Sequence, residues 1–225
     1  MHIGASQLTR SSVTGTARLC AIFALAHSLL ASTQVKAAVC RIAGPCYRYG
    51  LYRFLYIMLS WAHFAWATRR FLRLPDRDLY RVPAPWSWLM HAGQVASLAL
   101  VPATIRALGI LRSSGLRQVY VLLAGGEPMP EPEAQGPPLA GLEHMQVATV
   151  FRFSRHPSDA GALGAALLFP HMTANRVTLA GAVAIYVVLG SLHEEARLSA
   201  AYGAVYDRYR QQVPFLLPYC YSRAG

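Results

Sequence analysis

Two short stretches carry residue types that can do chemistry. The first reads Phe151-Arg152-Phe153-Ser154-Arg155-His156-Pro157-Ser158-Asp159-Ala160-Gly161. Pro157 suits the first residue of a helix, where its missing N–H costs nothing. That puts His156 at the cap. The N–H groups of the first turn and the positive end of the helix dipole then form an anion site beside Arg155. Gly161 and Gly164 let a second backbone, or a flat ligand, come close. Asp159, third in the helix, is favoured there by the dipole by about 0.3–1 kcal/mol. It can equally line a pocket and take a cationic group, or repel a carboxylate.

The second stretch is His193-Glu194-Glu195-Ala196-Arg197-Leu198, followed by Tyr202-Gly203, Tyr206, Tyr209-Arg210 and Val213-Pro214. On a helical wheel, Leu198, Tyr202, Tyr206 and Tyr209 fall within about 60° of Glu195 on one side and about 20° on the other. One carboxylate thus shares a face with three tyrosines, while Arg197 and Arg208 point elsewhere. A carboxylate on an aromatic stripe at a membrane boundary needs a cation; Arg155 or a cationic ligand would supply one. The plainer reading is a membrane-entry helix with interfacial Arg, followed by an amphipathic helix with tyrosines at headgroup level.

The elements that must position these residues read as membrane helices. The chain has 225 residues, of which 54% are hydrophobic and 14% charged, against about a quarter charged in soluble domains. Apolar runs at residues 17–33, 49–68 and 86–105 are near the length that a bilayer core requires. The first could be a signal peptide, but His27 and Ser28 interrupt it and no cleavage site follows, so a first transmembrane helix is expected. Residues 116–124 are apolar but too short to span. Residues 125–142, with five prolines among Glu127, Glu131 and Glu133, read as an exposed loop. Two further helices, over residues 157–169 and 177–192, are joined by a short linker as an antiparallel hairpin. Residues 193–212 read as an amphipathic helix leaving the membrane. The expected fold is all-α, polytopic, with about five transmembrane helices and a C-terminal amphipathic helix. It divides into residues 1–147, with the N-terminal transmembrane helices and the Pro-rich loop, and residues 148–225, which hold both chemistry-bearing stretches.

The net charge of +11 falls in clusters between apolar runs, such as Arg69-Arg70. That pattern fits loops beside membrane helices, with the lipid bilayer as partner and no nucleic acid. Its bias favours a cytoplasmic C-terminus. Cys20, Cys40, Cys46 and Cys220 form no CxxC pair, so no metal is expected. His27, His63 and His91 lie in three different apolar runs; haem ligation is the minor reading and a hydrogen-bonded role the main one.

Taken together, Arg155-His156-Pro157, Glu194-Glu195, Gly203-x-x-Tyr206-x-x-Tyr209 and Val213-Pro214 with Pro218 resemble, in order and spacing, the isoprenylcysteine carboxyl methyltransferase superfamily of membrane methyltransferases. The resemblance covers roughly residues 148–219. Phe23-Ala24-Leu25-Ala26-His27-Ser28, Tyr52-Arg53-Phe54-Leu55-Tyr56 and Leu74-Pro75-Asp76 look like its bacterial branch of NnrU-like proteins and methanethiol S-methyltransferases. The resemblance implies S-adenosyl-L-methionine as methyl donor and a small or lipophilic acceptor, thiol or carboxylate. It implies His156, Pro157, Ser158, Asp159, Gly161, Glu194, Glu195, Tyr206 and Tyr209 around the cofactor, with Arg155 and Arg210 on the acceptor side. The implied location is the bacterial inner membrane with the site facing the cytoplasm. The alternative in the same branch is a non-catalytic NnrU-like accessory or assembly protein. Asp159 departs from the Tyr or Asn that relatives often carry at that place.

Overall fold

The computed structural model describes residues 5–130, 137, 139–140, 144–145 and 149–217. Glu131, Pro132, Glu133, Pro138, Pro218 and Cys220 lie outside the described residues. The chain begins with helices α1 (Ala5–Ala31), α2 (Thr33–Ala43), α3 (Pro45–Gly50) and α4 (Tyr52–Phe71). Strand β1 (Asp78–Arg81) leads to α5 (Trp86–Leu108), α6 (Ile110–Ser113) and α7 (Leu116–Leu123). Two-residue strands β2 (Leu139–Ala140) and β3 (His144–Met145) and a 3-10 turn (Thr149–Arg152) precede α8 (Pro157–Leu167). Strand β4 (His171–Thr173), α9 (Ala174–Tyr202) and α10 (Ala204–Gln212) follow.

Among the described residues, three helices are long and apolar enough to cross a membrane: Arg10–Ala31 within α1, α5 and α9. Five crossings were expected, and two of them are not of that kind. Helix α4 has 20 residues, but its Tyr, Trp, His and Arg content makes it less apolar than the other three. Helix α8 has 11 residues, about 16 Å at 1.5 Å per residue, roughly half a bilayer core. The expected break after Leu192 is also absent. Helix α9 runs on through His193-Glu194-Glu195-Ala196-Arg197, which are mostly good helix formers, polar or not. It stops at Gly203, whose φ of 54° suits glycine and few other residues.

The chain forms two compact units. The first holds residues 1–84, 110–131 and 169–182. Within it α1 packs on α4. His27 Nε2 lies 2.6 Å from the Tyr56 hydroxyl and Nδ1 lies 3.2 Å from Ser60 Oγ, so both ring nitrogens have partners, as the hydrogen-bonded reading expects. Strands β1 and β4 pair antiparallel. The Leu74-Pro75-Asp76 stretch serves as a polar fastener. Ser12 Oγ and Asn175 Nδ2 donate to the Pro75 carbonyl, and Asp76 accepts from the Asn175 amide at the start of α9.

The second unit holds residues 85–109, 132–168 and 183–225. Its strongest helix contact is α5 on α8. A Cβ on Gly161 would lie 2.4 Å from the Ser97 carbonyl oxygen, and one on Gly164 would lie 2.5 Å from Ser97 Oγ. The close approach anticipated for these glycines is made by backbone at Gly161 and by the Ser97 side chain at Gly164. The core of this unit gathers Met145, Leu198, Tyr206, Tyr209 and Val213.

The two glycines give a graded expectation. Gly161→Ala pushes against backbone that cannot swing aside and should destabilise the protein by about 1–3 kcal/mol. Gly164→Ala meets a serine hydroxyl that can rotate and should cost less. Thermal unfolding of the two variants in the same detergent checks the order; equal midpoints would contradict the packing described.

Candidate functional site

The site is built where the start of α8 meets the second half of α9 and the chain after α10, all within the second unit. Pro157 opens α8 as its sequence position requires, fully buried, with His156 at the cap. The cap makes no side-chain bond to the helix. The His156 ring turns instead to the carboxylates of α9: Nδ1 lies 3.5 Å from Glu194 Oε2 and Nε2 lies 3.4 Å from Glu195 Oε1. Asp159 Oδ2 is 4.0 Å from the same Nδ1 and accepts a 2.7 Å bond from Ser191 Oγ.

Arg155 is the most heavily bonded side chain of the group. Its Nε donates to Glu195 Oε1 at 2.6 Å, and its Nη1 donates to the carbonyls of Arg210 and Val213 at 2.9 and 2.6 Å. Its backbone amide donates to the Pro214 carbonyl, and that of His156 to Phe215. The Arg155–Glu195 pair is nearly out of solvent, at 12% and 8% exposure. The Phe215 ring lies under the Arg155 guanidinium and meets the His156 ring edge-on. Arg210, half-exposed, approaches Glu195 Oε2 at 3.7 Å.

The helical wheel placed Glu195 on the tyrosine face, and the structure does the same. Glu195, Leu198, Tyr206 and Tyr209 are all buried, even though Gly203 divides the stretch into two helices. Tyr206 and Tyr209 lie in the core, and the Tyr209 hydroxyl donates to the Phe151 carbonyl at 3.0 Å. Burial pushes both phenols well above their usual range. They stand as the floor under Glu195. Ser158 is partly exposed on the first turn of α8, and Gly161 is taken up by packing on α5.

The charges can be counted. Glu195 neutralises Arg155, and Arg210 sits at their edge. Asp159 and Glu194 remain against a single imidazole. Burial alone would hold His156 below its ordinary value, but Glu194, Asp159 and Glu195 outweigh it and raise the pKa. Burial raises the Asp159 carboxyl, reinforced by Glu194 and opposed by Ser191 and His156. The anion site expected at the α8 start is thus already furnished with carboxylates, and the open character of the cluster is cation-accepting. Ligand atoms of His156, Asp159 and Glu194 lie within 4.8 Å of one another, a donor set that suits an ammonium group or a metal ion alike.

Sequence reasoning missed three participants. Ser191 precedes Glu195 by four residues, one helical turn on the same face, and the wheel could have found it. Ser154 accepts from the His156 amide, a local cap of the kind serine makes. Phe215 left no signal, because its place depends on how the chain folds back after Pro214.

No family model matches the chain, and no solved structure matches it. Curated proteins do. Methanethiol S-methyltransferase 2 of Bradyrhizobium diazoefficiens is 32% identical over 48% of this chain, and only 38% of that protein's length is matched. Methanethiol S-methyltransferase of Crocosphaera subtropica is 28% identical over 89% of this chain and 72% of its own. That of Mycobacterium tuberculosis is 29% identical over 89% and 76%.

The cluster makes a pH expectation with a definite sign. His156 has a raised folded-state pKa, so its contribution to stability is complete below about 6.5, the value of an unperturbed histidine. That contribution is lost as pH rises through the folded value. The raised Asp159 carboxyl acts in the same direction at lower pH. The unfolding temperature should fall from pH 6 towards pH 8, and His156→Gln should flatten that slope. Scanning calorimetry across the range checks it; a wild-type midpoint that climbs over this interval contradicts the assignment.

Proposed function

The relatives named methanethiol S-methyltransferase support the chain's place in an isoprenylcysteine carboxyl methyltransferase-like family, and on that premise we propose an integral membrane methyltransferase that uses S-adenosyl-L-methionine and methylates a small or lipophilic acceptor, a thiol first. The observation that carries the reading is the cluster of His156, Asp159 and Glu194, held in place by the Arg155–Glu195 pair. His156 and Glu194 come from the motifs that carry the resemblance and Asp159 from the position that departs from it, and all three lie in one unit. The proposed setting is a bacterial inner membrane, with the site on the cytoplasmic side.

The donor set fits the cofactor. S-adenosylmethionine carries an ammonium and a sulfonium, and when bound it supplies a methyl group already activated for in-line displacement. Two carboxylates facing one imidazole suit its cationic groups, and aromatic faces such as Phe215 suit a sulfonium. Asp159, Glu194 and His156 would hold the amino-acid end. Glu195, Tyr206 and Tyr209 act from beneath by fixing where those groups stand. Arg155 is engaged in that scaffold, so its part is positioning. Arg210, half-exposed, is the arginine left to meet an acceptor or the cofactor carboxylate. The protein's task is alignment rather than bond activation. The acceptor thiol must lose its proton, and Glu194 is the carboxylate with the most solvent access, 39% of its side chain, to pass that proton outward.

The two adjacent glutamates separate binding from scaffolding. Removing one partner of a buried ion pair costs about 3–5 kcal/mol, so Glu195→Ala should unfold at markedly lower temperature. Glu194→Gln should keep the wild-type midpoint and bind S-adenosylhomocysteine at least about tenfold more weakly, the scale of one charge-assisted contact. Calorimetric titration beside thermal unfolding reads both. Wild-type affinity in Glu194→Gln would remove the cluster from the cofactor site. Absence of any binding at millimolar ligand by folded wild type would sink the enzyme reading.

A further inference from the structure

Two chain segments, residues 154–157 and 215–217, serve the ionic cluster and also a second feature of the same unit. Arg155, His156 and Phe215 belong to the cluster. Their neighbours Ser154, Pro157, Leu216 and Leu217 line a cavity of about 530 Å³. The cavity and the cluster are therefore built on neighbouring residues of the same two segments, which form a shared wall. We propose that this cavity holds the hydrocarbon part of the methyl acceptor, an apolar thiol with a longer chain than methanethiol. This rests on the methyltransferase reading and narrows its substrate class.

The lining selects against other acceptors. Apart from Ser97 and Ser154 it is apolar throughout, with Leu100, Val150, Ala160 and Leu168 among its walls. Ser154 Oγ already donates to the Phe215 carbonyl and accepts the His156 amide. A carboxylate, amine or phosphate placed there would lose its water for at most the Ser97 hydroxyl. The size lies within the range of built ligand sites, and methanethiol, with two non-hydrogen atoms, would fill little of it. Burial is graded along the cavity. Ser154, Pro157 and Ala160, on the cluster side, are buried, whereas Phe153, Leu167 and Leu217 are largely exposed apolar residues. An alkyl chain can occupy such a passage with its sulfur at the shared wall and its tail toward the apolar mouth.

The test uses the full chain in lipid nanodiscs saturated with S-adenosylhomocysteine. Non-reactive n-alkyl methyl sulfides of one to eight carbons are titrated by calorimetry, with thiol methylation measured in parallel. Affinity should rise by about fourfold per methylene across the series. Val150→Phe, which fills the cavity without touching the cluster, should weaken the long sulfides at least tenfold and leave S-adenosylhomocysteine binding unchanged. Leu216→Phe is the second filling variant should Val150→Phe fail to fold. A flat response from one to eight carbons overturns the proposal, as does a filling variant with the wild-type chain-length profile, the mark of simple partition into lipid. Absence of S-adenosylhomocysteine binding in every arm overturns the methyltransferase reading and the acceptor assignment with it. Methylation of methanethiol with no gain for longer thiols overturns the acceptor assignment alone.

Discussion

The ion pair between Arg155 and Glu195 is the contact on which the second unit's chemistry depends. Both ends are nearly out of solvent, where an unpaired charge is costly and a paired one roughly breaks even. The return lies in geometry. One guanidinium spends its donors on Glu195 and on two carbonyls at the end of α10, so separate pieces of chain are fixed to one planar group. Lysine offers a point charge and could not hold that fork. Because the backbone amides of residues 155 and 156 bond to residues 214 and 215, the start of α8 and the C-terminal segment form one body. The His156 ring is carried on it.

That arrangement explains why two adjacent glutamates are not equivalent. Neighbours on a helix lie about 100° apart, so only one can face the core. Glu195 faces inward, meets Arg155 and rests on Tyr206 and Tyr209. Glu194 is rotated toward the rim, where it faces His156 and keeps contact with solvent. Asp159 approaches the same ring from α8, tethered by Ser191. A neutral scaffold thus surrounds a small group whose carboxylates outnumber its cation. Asp159 is the one departure from the resembling pattern; it stands in the first turn of α8, and its carboxylate also approaches that group. A site with one more negative charge favours the cationic end of an amphoteric ligand over its carboxylate.

What the sequence made readable follows from period and local chemistry. The wheel phase of Glu195 with Leu198, Tyr206 and Tyr209 held across the α9–α10 break. The Pro157 helix start needed only the proline ring constraint. The apolar runs located the helices, yet they overcounted crossings, because hydrophobic content does not report where a helix stops. Helix α8 ends at Leu167 and is too short to span, and α9 passes straight through residues that looked like a boundary. The pairing of Arg155 with Glu195 was readable only as one option, since an intramolecular arginine and a cationic ligand present the same demand to a carboxylate. Phe215 and the cavity could not be read at all. Both depend on how the segment after α10 packs on the start of α8, a long-range event with no periodic signature.

Gly203 ties these observations to the spacing of the motif. Between Glu195 and Tyr206 the chain must leave α9 and restart as α10 while keeping its aromatic residues on the buried side. A positive φ at residue 203 makes that turn within one residue, and a Cβ there would meet no neighbouring atom. Its glycine is therefore required by backbone conformation and not by crowding. The opposite holds for Gly161, whose helical backbone any residue could adopt but whose missing side chain admits the Ser97 carbonyl. One glycine sets the direction of α10 and with it the carbonyls that receive Arg155; the other sets how closely α8 can lie on α5. The start of α8 is thus fixed to the C-terminal segment and its middle to α5, and the cavity lies among the same elements, lined by Ser154, Pro157, Ala160 and Leu216.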